Sequence, residues 1–405
     1  MESYRWINAV CPLAKTISQY QRKQFIGDLI AGIVVAIMLI PQAMAYAMLA
    51  GLPPQVGLYA SIAPLVLYSL FGSSNALAVG PVAMVSLLVV SGVRELATPG
   101  TAEYMGLCLT LALLIGILQI AMALFRLGFL VNFISHPVLV GFTSAAALVI
   151  GLSQLKHLFG VSVESSEYPW QLIVNTFSVI GNANGTTLAI GLASCLVLVA
   201  FAFWVAPLLK ACGVNVNLTS TIAKVGPLVA VVIASSVVFV AQWNQSKSVG
   251  VVGEIPAGMP GITMPKLDWT QIRSLLPLAL TITLVGYLES ISVAKALAAR
   301  KREKVDANRE LFALGMADVG AALTGGYPVT GGFSRSMVNH AAGGSTPLGS
   351  VYTAICVALS VLFLTPLFYY IPNAVLGTSR KVMSDGSFMT TGRGVMMLRV
   401  VILSR

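Results

Sequence analysis

Two short apolar stretches, AVGPVAMVSLLVVSGV (Ala78–Val93) and PVTGGFSRSMVNHAA (Pro328–Ala342), decide the fold. Both are interrupted by glycine and proline, and their starts lie 250 residues apart. Proline and glycine at these starts forbid one continuous helix. Each stretch therefore predicts an extended lead and a half-helix, shorter than the ~20 residues a bilayer requires. Short broken segments at corresponding places in two halves mark the binding site of a transporter built from inverted repeats. The second stretch places Arg335 directly after Ser334.

The surrounding chain fits that reading. Of 405 residues, 57% are hydrophobic and 9% charged, with a mean hydropathy of +0.87, which excludes a soluble globular domain. No charged side chain occurs from Leu29 to Val93. The first apolar stretch begins near Gly27 and lacks a small-residue cleavage site, so it predicts a retained helix rather than a signal peptide. The net charge of +10 lacks the motifs of nucleic-acid recognition. It is explained by loops, with twelve Lys and Arg on one side of the bilayer and five on the other. The positive-inside bias makes the first side, which includes the N-terminus, cytoplasmic.

Spans are predicted at 27–50, 54–72, 79–93 (the half-helix), 104–125, 137–158, 186–209 and 225–242. These seven form a first repeat, 27–242, after an amphipathic arm at 1–26 that lies on the bilayer surface. An external loop with Glu164, Glu167 and Trp170 carries a short interfacial helix. The stretch VGEIPAGMPGITMPKLDW within 243–273 is a proline-rich external connector. The second half, 274–376, repeats the opening pattern with spans at 275–299 and 310–324, a broken segment at 328–343 and a span at 347–370. The tail, 377–405, holds five Lys or Arg and one Asp without a periodic apolar face. It predicts a shifted reading frame, with a genuine short form as the alternative.

Five scattered cysteines (Cys11, Cys108, Cys195, Cys212 and Cys356) give neither a disulfide framework nor a metal cluster. His136, His157 and His340 share no ligand spacing, so no metal site is expected. No HExxH, GxSxG or paired aspartates support an intramembrane enzyme, and GGYPVTGG lacks the GK[ST] of a phosphate loop. No cofactor is called for.

Four stretches resemble the SulP sulfate permease family, relatives of the solute carrier family 26 anion transporters. They are residues 40–86 (IPQAMAYAMLAGLPPQVGLYAS and onward), ISHPVLVGFTSAAALVI (134–150), LESISVAKALA (288–298) and GGYPVTGGFSRSMVNHAAGGSTPL (325–348). The resemblance implies an all-α polytopic membrane protein of two inverted seven-segment repeats, with two half-helices meeting at mid-membrane. It further implies a core domain and a gate domain, usually followed by a STAS domain. Here the second repeat stops in the twelfth segment and no STAS domain is found, so at most weak homodimerisation is expected.

The residues of the site follow from both lines of reading. Two opposed helix N-termini offer unpaired amides and positive potential to a small anion. The first half-helix is expected to start at Pro81, followed by Val82 and Ala83. The second is expected to start across Gly332, Phe333 and Ser334, with Ser334 as both cap and ligand and Arg335 as the cation. Gln42 and Tyr46, at i and i+4, share a face of the first span. The resemblance makes that face the pocket wall, whereas the residues alone favour an interhelical Gln and a packed Tyr. Glu289 is the only carboxylate between Asp268 and Glu303. A carboxyl in low dielectric holds a proton readily, and the resemblance links this position to cation coupling. The alternative is a structural pair with Lys295 or Arg335. Asp318 either joins the coupling network or packs beside Gly315 and Gly320. The resulting expectation is secondary active uptake of an inorganic anion, sulfate first, by proton symport across a cell membrane such as the bacterial inner membrane. Chloride/bicarbonate exchange, sodium-coupled bicarbonate uptake, and a transport-inactive fragment that retains only the anion site are the other readings.

Overall fold

The computed structural model describes residues 12–18, 20–133, 183–211, 226–246, 249–256, 258–265, 268–301 and 303–376, with isolated positions between 155 and 181. Most of the span expected at 137–158, the loop with Glu164, Glu167 and Trp170, Cys11, Cys212, His136, His157 and the tail from 377 lie outside the described residues. In chain order the helices are α1 (Pro12–Ser18), α2 (Arg22–Leu49), α3 (Pro54–Tyr59), α4 (Ala63–Phe71), α5 (Ala83–Val93), α6 (Ala102–Leu124), α7 (Gly185–Ala200) and α8 (Ala206–Ala211). They continue as α9 (Gly226–Ala241), α10 (Trp243–Ser246), α11 (Trp269–Lys301), α12 (Ala307–Leu323), α13 (Phe333–Ala341), α14 (Leu348–Phe363) and α15 (Thr365–Phe368). Two strands, β1 (Val79–Gly80) and β2 (Thr330–Gly331), precede α5 and α13.

The chain divides into two compact units. One contains the described residues of 1–139 and 254–366, and with them both half-helices. Its α2 begins in a reciprocal cap, in which the Gln21 side chain accepts from the amide of Gln24 while Gln24 Oε1 accepts from the amide of Gln21 at 3.0 Å. The helix thus starts at Arg22, earlier than the hydropathy boundary, because its first turn is polar. A span expected over 54–72 is instead broken into α3 and α4. Within α3, Gly57 crosses α2 so closely that an added Cβ would lie 2.0 Å from the Ala43 carbonyl oxygen. Backbones approach this closely only at glycine. We therefore expect Gly57→Ala to destabilise the fold by about 3 kcal/mol, through displacement of one backbone by the other. An unchanged unfolding midpoint in detergent would contradict the crossing.

α6 and α12 cross through a reciprocal pair of small residues. A Cβ on Gly116 would meet the Gly315 oxygen at 2.8 Å, and one on Gly315 would meet the Gly116 oxygen at 2.8 Å. Between apolar helices, where no water is expelled, close packing of this kind supplies the association. Each helix starts on a side-chain cap: Thr101 accepts from the Tyr104 amide, and Asp306 from the amides of Asn308 and Arg309. The aromatic Tyr104 then reaches across to donate to the Ala50 carbonyl at 2.6 Å, closing the end of α2.

The other unit contains the described residues of 140–253 and those from 367 onward. α7 starts on Asn184, whose side chain accepts from the amides of Thr186 and Thr187, and ends in a π-helical turn, Phe201–Val205. The expected single span at 186–209 is thus a helix, a π turn and a short helix. Residues 250–253 pair with 369–373, the Val252 amide donating to Ile371 oxygen at 2.9 Å and the Asn373 amide to Gly250 oxygen at 3.0 Å. The connector expected at 243–273 is accordingly not one loop. Its beginning is helical (α10) and then bonded within this unit, and its last residues already form the first turn of α11.

Candidate functional site

The leads to the two half-helices are extended because Pro81, Gly80, Gly331 and Gly332 disfavour helix there, and their freed backbone groups satisfy each other. β1 and β2 pair antiparallel, Val79 opposite Gly331 and Gly80 opposite Thr330, and the Gly332 amide donates to Ala78 oxygen at 3.0 Å. Irregular backbone inside a membrane protein is tolerated on such terms. The pairing brings the starts of α5 and α13 together. α5 is preceded by Val82 and α13 by Gly332, and neither N-cap residue makes a side-chain cap bond. The first-turn amides of both helices therefore lack side-chain acceptors, and each N-terminus contributes roughly half a positive charge.

Two expectations are corrected. Pro81 lies in the extended lead, and the first half-helix starts at Ala83 because Val82 keeps β-type dihedrals. Ser334 does not cap the second, since Gly332 holds the N-cap position and Ser334 is the second helical residue. Val82, Ala83, Phe333 and Ser334 are all partly exposed, while Pro81 and Gly332 are buried.

Arg335, 2% exposed, joins the two segments by donating from Nη1 to the Pro81 carbonyl at 2.6 Å. Its Nε and Nη2 are buried without hydrogen-bond partners. Gly332 and Gly80 make room for it: an added Cβ would stand 2.8 Å and 3.4 Å, respectively, from Nη2. Tyr46, Tyr327 and Glu289 are close enough to act on the guanidinium electrostatically. α2 packs against both α5 and α13, with Gln42 buried and Tyr46 partly exposed one turn further on.

Glu289, in α11, keeps Oε2 buried without a hydrogen-bond partner. The alternative of a hydrogen-bonded pair with Lys295 or Arg335 at that oxygen is not realised, and the coupling to Arg335 is through space. The next residue ties α11 to the second lead. Ser290 Oγ accepts from the Gly331 amide at 2.8 Å and lies 2.6 Å from Thr330 Oγ1, which donates to the Gly286 carbonyl at 2.7 Å. Asp318 holds the same lead further upstream, Oδ1 accepting from the Val329 amide at 2.8 Å. It therefore supports the backbone in addition to sitting beside Gly315 and Gly320.

Sequence reasoning missed Ser336 and Asn339. Ser336 Oγ accepts from the Ala78 amide at 2.9 Å and Asn339 Nδ2 donates to the Ala76 carbonyl at 3.2 Å, so α13 grips the lead of α5. Their polar spacing on one face of a half-helix was the available signal. Buried Asp28 and Glu310 were also passed over, because each sits at the edge of a span where a carboxylate reads as a solvated loop charge.

The same arrangement of elements is found in known proteins. Murine solute carrier 26 family member A9, an anion transporter solved in the inward-facing state, superposes with a TM-score of 0.84 at 25% identity, covering 93% of this chain and 63% of that one. The transmembrane domain of the cyanobacterial bicarbonate transporter BicA superposes with a TM-score of 0.77 at 21% identity, covering 95% of each chain, and so shares the fold. Sulfate transporter 4.1, chloroplastic, of Arabidopsis thaliana is 41% identical over 372 residues, 92% of this chain and 53% of the relative. A probable sulfate transporter of Mycobacterium tuberculosis is 36% identical over 360 residues, 89% of this chain and 61% of the relative. The chain thus spans between half and two thirds of the length of these two sulfate transporters. The described residues include four helices long and apolar enough to cross a membrane, α2, α3 with α4, α6 and α11. The model of the Sulfate permease family matches residues 25–379, and the chain belongs to that family of multi-pass membrane proteins.

Proposed function

We propose that the chain carries the anion site of a sulfate transporter, working by alternating access through an elevator or rocking movement. The observation that supports this most is the pair of half-helix starts without side-chain caps, joined by β1 and β2, with Arg335 buried between them. Two helix ends and one guanidinium sum to about two positive charges, which suits a sulfate dianion. In this reading the amides at Ala83 and Phe333 and the Ser334 hydroxyl contact the anion. Arg335 acts through its field, because its contact with Pro81 and its burial hold it behind those amides. Gln42 and Tyr46 form the wall on α2, and Val82 and Phe333 fill the apolar edge. The sulfate transporters among the relatives favour sulfate over other small anions.

Glu289 is the proton carrier in this proposal. A proton taken up there offsets the negative charge that sulfate brings near an isolated buried carboxyl. Proteoliposomes containing the chain should accumulate labelled sulfate faster when the outside is acidic, and Glu289→Gln should remove the acid stimulation while leaving sulfate binding within about threefold. Stimulation by a sodium gradient in place of a proton gradient would reassign the coupling ion. Absence of saturable sulfate binding in the purified chain would end the sulfate reading. The excess of Lys and Arg on one side supports a cytoplasmic N-terminus.

A further inference from the structure

Two fully buried carboxylates, Asp28 in α2 and Glu310 in α12, stand outside the anion cradle. Each is surrounded by donors. Glu310 Oε1 accepts from the Ser73 amide at 2.8 Å, the Ser73 hydroxyl at 2.6 Å and the Ser74 amide at 3.0 Å, while Oε2 accepts from the Tyr68 phenol at 2.7 Å. Asp28 Oδ1 accepts from the amides of Ser345 at 2.7 Å and Thr346 at 3.1 Å, with the Ser345 hydroxyl at 3.4 Å. Its Oδ2 accepts from the Tyr20 phenol at 3.0 Å and from the Thr346 hydroxyl.

Burying a carboxylate is costly unless hydrogen bonds replace its water, and here they do so completely enough to fix two loops. These loops are the ones that flank the half-helices. Residues 72–78 lead into β1 and α5, and residues 342–347 follow α13. The chain between Ser74 and Ala78 is held on its other side by α13, through Asn339 to Ala76 and Ser336 to Ala78. The loop after α13 is closed by the Gly344 amide donating to Asn339 oxygen at 2.9 Å. Thr16, Ser73, Asp306, Arg309 and Pro347 line one cavity, so both anchors lie at the same end of this unit.

We propose that Asp28 and Glu310 are positioning residues for the anion site, each anchoring the loop that flanks one half-helix and together setting the separation of the two N-termini. Glu310 acts forward along the chain through the stretch from Ser73 to Val82. Asp28 acts backward from Thr346 through α13 to Gly332. Neither touches the anion. This rests on the reading of the cradle as an anion site.

The test combines amide hydrogen exchange with sulfate titration of the purified chain. Glu310→Leu is expected to speed exchange at 73–82 at least tenfold and to weaken sulfate binding about tenfold, with exchange in α6 unchanged. Asp28→Leu is expected to do the same at 342–348. Glu310→Gln keeps an acceptor oxygen for the three donors at Oε1, and its amide can donate to the Tyr68 phenol oxygen, so it should restore binding to within about threefold. Should the leucine variants fail to fold, Tyr68→Phe removes a single donor and should still raise exchange at 73–82. Unchanged exchange at 73–82 in these variants would overturn the proposal. So would equal loss of binding in Glu310→Leu and Glu310→Gln, which would assign the effect to charge. A wild-type chain that binds no sulfate would remove the anion reading, and the exchange comparison would then decide the anchoring of the half-helices by itself.

Discussion

Replacing Arg335 with alanine is expected to weaken sulfate binding about a hundredfold, whereas Cys356→Ala, in α14, should change it less than twofold. Two losses combine in the first variant. The guanidinium sits in the first turn of α13 and is bonded to the lead of α5, and its field is little screened where it is 2% exposed. The Pro81 carbonyl, which accepts from Nη1 at 2.6 Å, is also left buried without its donor. Together these amount to about 3 kcal/mol, which is the hundredfold expected in Kd. Arg335→Lys separates the two contributions. It keeps the charge but cannot reproduce the planar fork, so binding should recover only partly, measured by titration of the purified protein at fixed salt. Equal affinities for Arg335→Ala and the Cys356 control would remove the half-helix site from consideration.

The second large effect is expected at a residue with no side chain. In Gly332→Ala the new Cβ would stand 2.8 Å from Arg335 Nη2, 3.0 Å from Cζ and 3.1 Å from Nε. The guanidinium is fastened to Pro81 and walled in, so it cannot swing away without breaking that bond. We expect sulfate affinity to fall tenfold to a hundredfold, with a loss of about 2 kcal/mol in stability from overpacking. At Gly80 the corresponding distance is 3.4 Å, so the clash with Arg335 is smaller there, although a φ of +155° strains any side chain at that position. An unchanged affinity in Gly332→Ala would mean that Arg335 does not occupy the space between the two leads. Titration and thermal unfolding of Gly332→Ala and the wild type under one set of conditions make the comparison.

The positions of the half-helices were legible because proline and glycine act locally. Pro81 beside Gly80, and Gly331 beside Gly332, cluster helix-disfavouring residues within two positions of each other. The break between α3 and α4 was not, because Ala60, Ser61 and Ile62 include neither proline nor glycine to mark it. The two-rung pairing of β1 and β2 was hidden for a related reason. Its partners are separated by about 250 residues, and two residues carry no periodicity. Arg335 and Glu289 stood out as charges within apolar segments. Their different treatment by the fold, one bonded to a carbonyl and the other left without a bond at Oε2, depends on neighbours from other helices. Ser334 illustrates the limit at the finest scale: a one- or two-residue shift of a helix start moved it from the cap into the first turn.

The ladder between the two leads has a thermodynamic consequence. Because Val79 and Gly80 are bonded to Gly331 and Thr330, the two helix starts cannot part without breaking backbone hydrogen bonds. If the cradle is the anion site proposed above, the ladder keeps the same two helix starts on the anion whichever way it is open, and the contribution of those starts to affinity is the same from either face. A ligand with equal affinity for two states shifts nothing between them. In the proposed transporter, sulfate moving alone would come only to electrochemical equilibrium, and accumulation beyond that would require coupling to a second ion.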